Sequence, residues 1–542
     1  MTFKKIFLSL FFLCLFPVSV FAKDKPQVLF INQVRGEECC SKGNLANLEK
    51  QVGAFVTDKI PAYFVLRYDA LTNQSYVDYI KQQISANPDL IRLGLMIEIT
   101  PKLAEDSGVK YHDTENHWYE AQNCFTIGYQ KQDRKKIIGK LFSTFHNQFG
   151  SYPRLVSAWL IDTDSLNYMH DKYGVNADQI TREQWGQDSY TLYGGPPHYP
   201  YPASRNWAFI PDFTEKNPVI MLRQTVTDPL YNYGETKKAY TTQPNDYAIS
   251  GLDFEYFKKL TNQALFDQKS TGFALLGLEN SMEDKYQQDF IGQVDYISKI
   301  KDQVSFPDLD QLKNYWQKQT DTSYSGKDLI NGTDNRAEFV TTAYFRRRIR
   351  TRSGKTFTTD YRYYDKKLTD PYDDYVAKKA GYWIVPYALD YSHVYNIASS
   401  VFPETRNDLS LDTQPKLTIS RLSAYSFNNN RMENYPYYMP EAIARKIDRF
   451  KSQVEIITGK MTTIKFFSRD SFGYPANIAD PVTMEIFPQN DEVKTTNDSS
   501  LYTFTFPNDS QNLQDITLSS DKKTVKKILL FPQPFSFIKL VF

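Results

Sequence analysis

Six short apolar runs, separated by stretches with helical spacing, occupy residues 27–300, and this alternation restricts the chain more than any other feature. "QVLFINQV" (27–34) is followed by a helical pattern over 44–58, "AYFVLRY" (62–68) by one over 75–86, and "RLGLMIEI" (92–99) by a loop rich in charge and aromatics. "RLVSAWLID" (154–162) follows a helical pattern over 133–148 and precedes "DSLNYMHDKYG", which ends on Gly174. "VIMLRQTV" (219–226) precedes a helix near 252–268, and "GFALLGLEN" (272–280) one near 283–301. Apolar strands alternating with helices make parallel sheets covered on both faces, either a barrel or a doubly wound sheet. Six or seven such units fit a barrel best. The expected fold is therefore α/β, a (β/α)7-type barrel over residues 23–305. No Gly-x-Gly-x-x-Gly and no Gly-x-x-x-x-Gly-Lys follows any of these runs, so no nucleotide or other cofactor is implied.

The texture changes after "VSFPDLDQLKNYWQK" (304–318), as a chain of 542 residues, longer than one core usually serves, leads one to expect. "AEFVTTAYFRRRIRTRSGKTFTTDYRYYD" (337–365) alternates and is broken by Ser-Gly, as a hairpin is. Residues 405–542 carry Thr-, Ser- and Asn-rich turns between runs such as "VEIITG", "TTIKFFS" and "YTFTFPN". This pattern predicts antiparallel, sandwich-like β-structure, with one module over 306–404 and a second over 405–542.

The first 22 residues combine Lys4 and Lys5, the apolar run "IFLSLFFLCLFPVSVF" and a small residue at Ala22, the pattern of a secretory signal peptide. A retained membrane anchor is the alternative. No later run is long and apolar enough to span a bilayer. The expected location is therefore secreted, periplasmic or at the cell surface. Three cysteines follow this segment, and in an oxidising compartment a disulfide from Cys39 or Cys40 to Cys124 is expected, with metal ligation as the other use. With 64 Lys and Arg against 63 Asp and Glu, the charge gives no argument for nucleic acid or a polyacidic partner.

In a barrel, reactive groups sit where strands end and loops begin on the carboxyl side. The side chains there are Gln33, Arg35, Arg67, Asp69, Glu98, Asp162, Asp164, Arg223, Asp228 and Glu279. Four of the six runs place a carboxylate at or just after this end, and an unpaired acid in an apolar setting is costly. Glycoside hydrolysis needs two carboxyl groups, one protonated and one ionised. Glu98 and Asp162 are the leading pair and Glu279 the third candidate, with Arg35 or Arg67 keeping one of them ionised. Structural readings compete: Asp164 as a helix N-cap, Ser281 with Asp284 as a capping box, and Asp69 as the start of a turn. His112, Asp113 and His117 do not have the spacing that puts two imidazoles on one helical face, so no metal is expected.

Aromatics make 15% of the chain, with 39 Tyr, 37 Phe and 6 Trp, and two loops concentrate them. "EQWGQDSYTLYGGPPHYPYPASRNW" (183–207) and "TDPLYNYGE" (227–235) are suited to stacking on a poly- or oligosaccharide, or to packing as a rigid Pro- and Tyr-rich loop. Trp159, Trp185, Asp188 and Tyr190 join Gln33, Arg35, Arg67, Arg223 and Asp228 as expected substrate-binding residues.

The strand-end segments "VLFINQVRG", "LGLMIEITPKLAEDSGV", "FGSYPRLVSAWLIDTDSLNYMHDKYGV" and "LLGLEN" resemble those of the glycoside hydrolase/deacetylase superfamily of seven-stranded (β/α) barrels. The likeness covers roughly residues 27–300 and implies Asp162 as a functional acid. Deacetylases of that group carry an Asp-Asp pair ending strand one and a His-x-x-x-His motif, whereas here strand one ends "INQVRG" and no such His pair exists. The resemblance thus implies an exported carbohydrate-active hydrolase with a metal-free carboxylate pair. Its alternatives are a non-catalytic glycan-binding protein or a metal-dependent polysaccharide deacetylase with atypical ligands.

Overall fold

A computed structural model describes residues 25–38, 41–112, 119–187, 190–233, 238–352 and, with short interruptions, 354–390 and 451–541. Residues 1–24, which include the expected signal peptide, Cys39, Cys40, Asp113, His117, Asp188 and the span 391–450 lie outside the described residues, as does the side chain of Trp185.

The strands run in chain order as β1 Gln27–Val34, β2 Ala62–Leu66, β3 Ile91–Met96, β4 Leu155–Ser157, β5 Ala177–Ile180, β6 Gln184–Gln187, β7 Tyr190–Tyr193, β8 Tyr201–Pro202, β9 Ile220–Arg223 and β10 Phe273–Leu276. The helices are α1 Leu45–Asp58, α2 Tyr68–Thr72, α3 Gln74–Ala86, α4 Pro101–Asp106, α5 Ala121–Cys124, α6 Lys131–Phe149, α7 Thr163–Tyr173, α8 Pro244–Ile249, α9 Phe254–Phe266, α10 Asp284–Lys299 and α11 Leu309–Trp316. One sheet has the order β10-β1-β2-β3-β4-β5-β9, parallel throughout, with β8 added antiparallel at the β9 edge. This is the expected (β/α)7-type architecture, seven parallel strands curled into a half-barrel with β10 beside β1. The seventh strand, β5, has the sequence "ADQI" and carries no apolar run, which is why periodicity alone finds six.

Local chemistry sets the helix ends. Asn44 accepts from the Ala46 amide to start α1, while Gly150 and Gly174 take left-handed φ of 75° and 77° to end α6 and α7. Phe30, Phe55, Phe64 and Phe290 pack edge to face between barrel and helices, each fully buried and worth about 2–3 kcal/mol of apolar transfer. On the other side of the sheet Leu29, Ile31, Tyr63, Val65, Leu222 and Leu275 fill the barrel. Leu309, Leu312 and Trp316 of α11 join that interior cluster, with the Trp316 ring edge-on to Phe273.

Beyond α11 the structure is antiparallel, as expected. Strands β11 Thr322–Lys327, β12 Arg336–Thr341, β13 Phe345–Arg352, β14 Lys355–Tyr363, β15 Gly381–Ile384 and β16 Tyr387–Asp390 follow, and all but β15 share one sheet. β15 instead pairs in parallel with β7, tying this part of the chain to the hairpin that follows β5. Between 451 and 541 lie two further four-stranded antiparallel sheets. Among the described residues no helix is long and apolar enough to cross a membrane.

Candidate functional site

Alternation along each strand decides which side chains meet at the barrel mouth. Ile31, Val65, Met96, Leu155, Ala177 and Leu275 face the interior, so the residues two and four further on turn inward too. These are Gln33 and Arg35 from β1, Arg67 from β2, Glu98 from β3, Ser157 and Trp159 from β4, Gln179 from β5 and Glu279 from β10. The interior is thus apolar below and polar at its carboxyl end.

One half of the mouth, over β10, β1, β2 and β3, is ionic. Arg35 donates to both oxygens of Glu98, from Nε at 2.9 Å and from Nη2 at 3.1 Å, and its Nη1 bonds Glu279. Arg67 donates from Nη1 to Glu98 at 2.7 Å and from Nε and Nη2 to Asp69, both at 2.8 Å. Arg35, Arg67, Glu98 and Glu279 are at most 3% exposed, so these charges face one another and not water. Burial by itself would raise the Glu98 carboxyl, but the two guanidiniums outweigh it and hold the group below its ordinary range. Asp69 is lowered in the same way by Arg67 and by backbone amides of Gly36 and Glu38.

Asn280 ties β10 to β1 by accepting from the Arg35 amide and donating to the Arg35 carbonyl, both at 2.9 Å. Gly43 lets the following loop close on that backbone, since a Cβ there would strike the Arg35 carbonyl. Ser41 and Ser281 accept from Arg35 Nη1 at 3.2 and 3.1 Å, and Ser281 also lines a cleft of about 730 Å³ with Glu37, Lys42 and Asn44. Ser281 therefore serves Arg35 and Glu279, and the residue at the N-cap of α10 is Glu283.

The other half, over β4 and β5, has no charged inward side chain. Gln33 reaches across the barrel and donates to Gln179 Oε1 at 2.8 Å, and Ser157 donates to the same oxygen at 2.8 Å. One pleat above Ser157, Trp159 is half-buried, with the Arg35 guanidinium 5.3 Å from its ring centre. Trp159 is the partly exposed member of this set.

Asp162 belongs elsewhere. It is the N-cap of α7, accepting from the Ser165 amide at 2.8 Å, and it also takes Thr126 Oγ1 at 2.6 Å and pairs with Arg134 at 2.9 Å. Asp164, the expected cap, sits in the first turn instead. An N-cap needs extended backbone, which Asp162 has at φ −73° and ψ 150°. The structure thus joins Glu98 to Glu279 through one guanidinium and gives Asp162 a separate set of partners.

Arg223 faces outward, 4.8 Å from the Phe209 ring centre, and donates to the Thr181 and Pro196 carbonyls. Asp228 accepts from the Leu230 and Tyr231 amides and from Tyr256 Oη at 2.9 Å, and burial pushes its carboxyl up to about 6. Tyr190 is buried edge-on to Phe125. Among the described aromatics of the two loops, Tyr193, Tyr199, Tyr201, Trp207 and Tyr233 are at most 3% exposed. They pack with the antiparallel sheet: Arg346 lies over Tyr193 and Phe339, and Arg348 over Tyr233. The rigid, packed loop is what the structure shows for these residues, in place of an open stacking platform.

Sequence reasoning missed Gln179, hidden in a polar strand, and a buried network in which Arg346 bonds Glu183 at 2.6 Å and Asp360 at 2.8 Å. It also missed Asp370, which accepts from the Thr163 amide and hydroxyl at 2.8 and 2.7 Å and so helps Asp162 receive the start of α7. Cys124 is buried with its thiol 3.4 Å from the Glu120 carbonyl. Among the described residues no three His, Cys, Asp or Glu are grouped to hold a metal ion. The carboxylates of the mouth are turned to guanidiniums, and His112 stacks on Tyr129 with Nδ1 3.3 Å from the Gln122 carbonyl, so the described residues do not fit a deacetylase metal centre.

No protein-family model matches the chain, and no curated protein matches its sequence. Solved structures do match. A provisionally assigned glycoside hydrolase/deacetylase from Parabacteroides distasonis superposes with a TM-score of 0.50 at 14% identity, over 67% of this chain and 90% of its own. A provisionally assigned polysaccharide deacetylase from Pseudomonas aeruginosa PAO1 gives 0.35 at 12% identity, over 54% and 91%. The PuuE allantoinase gives 0.33 at 12%, over 54% and 89%. The first of these shows the fold of the glycoside hydrolase/deacetylase barrels, the resemblance expected from the strand ends.

Proposed function

We propose that the barrel mouth is a recognition site for a poly- or oligosaccharide on an exported protein, and that it binds without turning over. The observation that carries this reading is the Arg35 guanidinium shared by Glu98 and Glu279, with Arg67 on the far side of Glu98. A network closed on itself in this way holds the rim rigid, so that the half-buried Trp159 ring beside Arg35 would meet a saccharide in one fixed orientation. Such a network, buried at the end of a barrel where it adds little net stability, is better explained by a ligand than by folding.

Glycoside hydrolysis requires one carboxyl group to arrive protonated. Glu98, held ionised by two cations, does not meet that need, and Asp162 is occupied as a helix cap against Arg134. A second reading, hydrolysis by Glu98 and Glu279, is favoured by their convergence on one guanidinium. Purified mature protein, tested against a glycan panel for both affinity and cleavage, decides between them. Saturable binding with no product, weakened when Arg35 becomes Lys, supports recognition. Turnover lost in both Glu98→Gln and Glu279→Gln, with affinity kept, establishes the hydrolase. Neither binding nor cleavage across the panel removes the saccharide reading. The N-terminal residue of the mature protein, expected at Lys23, tests export.

A further inference from the structure

The mouth is uneven. Its ionic side chains come from β10, β1, β2 and β3, while β4 and β5 contribute Ser157, Trp159 and Gln179. Below the ionic ring the Gln33 amide spans the barrel from β1 to β5 and meets Gln179, making a polar floor over Ile31, Leu222 and Leu275. Both amides are completely buried, yet each has an atom with no partner among the described residues: Gln33 Oε1, an acceptor, and Gln179 Nε2, a donor. Turning both amides over exchanges the roles but still leaves one of each, because the pair shares a single hydrogen bond. A third group without a partner among the described residues, the Trp159 indole N–H, lies one pleat above; its nitrogen is buried while the ring is half-buried. Buried polar atoms of this kind are costly unless something completes them.

We infer that Gln33, Gln179 and Trp159 form a subsite that reads the hydroxyl groups of the sugar unit seated deepest in the mouth. A hydroxyl both donates and accepts, so one such group can satisfy the orphaned acceptor and donor of the floor together, and a second can take the indole N–H. A carboxylate or phosphate would satisfy the donors and leave the Gln33 acceptor facing like charge. The neutral half of the mouth therefore selects an uncharged polyol, with the Arg35–Glu98 wall beside it. This assignment rests on the saccharide reading above and names the residues that discriminate between sugars.

The test uses the full mature protein and isothermal titration with glucose, mannose, galactose and N-acetylglucosamine, followed by the mono-deoxy forms of whichever binds. Gln179→Met and Gln33→Met each remove one floor amide at nearly constant volume, and Trp159→Phe keeps a ring but no N–H. Each is expected to weaken the bound sugar by roughly three- to tenfold, the size of one neutral hydrogen bond. The discriminating readout is a ratio. One deoxy sugar should bind the parent protein more weakly than its hydroxylated form and bind Gln179→Met or Gln33→Met equally with it. If sugars bind but every deoxy form keeps its wild-type penalty in both variants, the floor holds only water and the subsite is wrong. If no sugar binds the parent protein, the saccharide reading itself has failed. Should one Met variant not fold, the other and Trp159→Phe carry the same ratio.

Discussion

Arg35 and Arg67, from neighbouring strands, donate to the same oxygen of Glu98, Oε2, at 2.9 and 2.7 Å. One carboxylate thus compensates two buried guanidiniums, and their remaining nitrogens are met by Glu279 and Asp69. Removing the charge from the shared residue leaves both cations short. Glu98→Gln should lower stability by about 3–5 kcal/mol, the usual cost of breaking a buried pair. The double variant Glu98→Gln with Arg67→Met should lose about 1 kcal/mol or more less than the two single losses combined, because the sites are coupled. Urea titration of the four proteins measures this. Additive losses would show that the two residues act independently.

Asp162 makes a contrasting prediction. As the α7 cap and partner of Arg134 it has a folding role, so Asp162→Asn should keep the cap, since Asn caps well, and lose the ion pair. A destabilisation of about 2–4 kcal/mol with unchanged affinity for a bound saccharide is expected at temperatures where the variant is folded. Titration calorimetry on the folded variant checks it, and a selective loss of affinity would return Asp162 to the site.

The barrel was legible because burial on both faces leaves uninterrupted apolar runs, and the two-residue alternation then points to the mouth residues directly. Arg35, Arg67, Glu98 and Glu279 all sit where that reasoning places them. What alternation does not carry is which acid meets which base: Asp162 ends an apolar run as Glu98 does, yet the backbone turns at Asp162 to begin a helix. Nor does it reveal a strand such as β5, whose inward Gln179 finds its partner on β1, 146 residues away. The aromatic loops misled because Tyr and Trp serve packing and ligand stacking equally well, and only the position of β13 and β14 over them decides.

Stability should rise on mild acidification. Among the described residues no cation is in hydrogen-bonding contact with the buried Asp370, which receives Thr163, the Tyr372 amide and Trp383 Nε1, with the Asp162 and Asp373 charges nearby. Burial pushes its carboxyl up to about 7, and Asp373, half-buried beside it, up to about 6. A carboxyl raised on folding binds its proton more tightly in the native state. Its contribution is therefore complete below the ordinary value near 3.8 and is lost as pH climbs toward 7. The folded protein should be more stable at pH 5 than at pH 8 by up to about 4 kcal/mol. Asp370→Asn should flatten most of that slope while Asp228, raised to about 6, keeps part of it. Thermal melts of both proteins from pH 4.5 to 8.5 give the comparison, and an unchanged slope in the variant would place the proton elsewhere.

The antiparallel sheet and the barrel are joined by buried charge as well as by strand pairing. Arg346 of β13 bonds Glu183, Asp360 and the Gly195 carbonyl with none of the three side chains more than 3% exposed, β15 extends the hairpin at β7, and Asp370 receives the start of α7. A chain ending at residue 305 would leave Glu183 without its cation and bare Tyr190, Tyr193, Phe209 and Tyr233, which are now buried. Exposing these four aromatic side chains at about 2 kcal/mol each is comparable to a domain's whole stability. Residues 23–305 alone should therefore be insoluble or bind a hydrophobic dye strongly, while residues 23–390 should give a cooperative melt. In the full chain, Glu183→Gln should raise hydrogen exchange in 190–193 and 345–363 together, since both segments hang on Arg346. Exchange rising in one segment alone would mean that the two parts fold separately, and a cooperative melt for residues 23–305 would show the same.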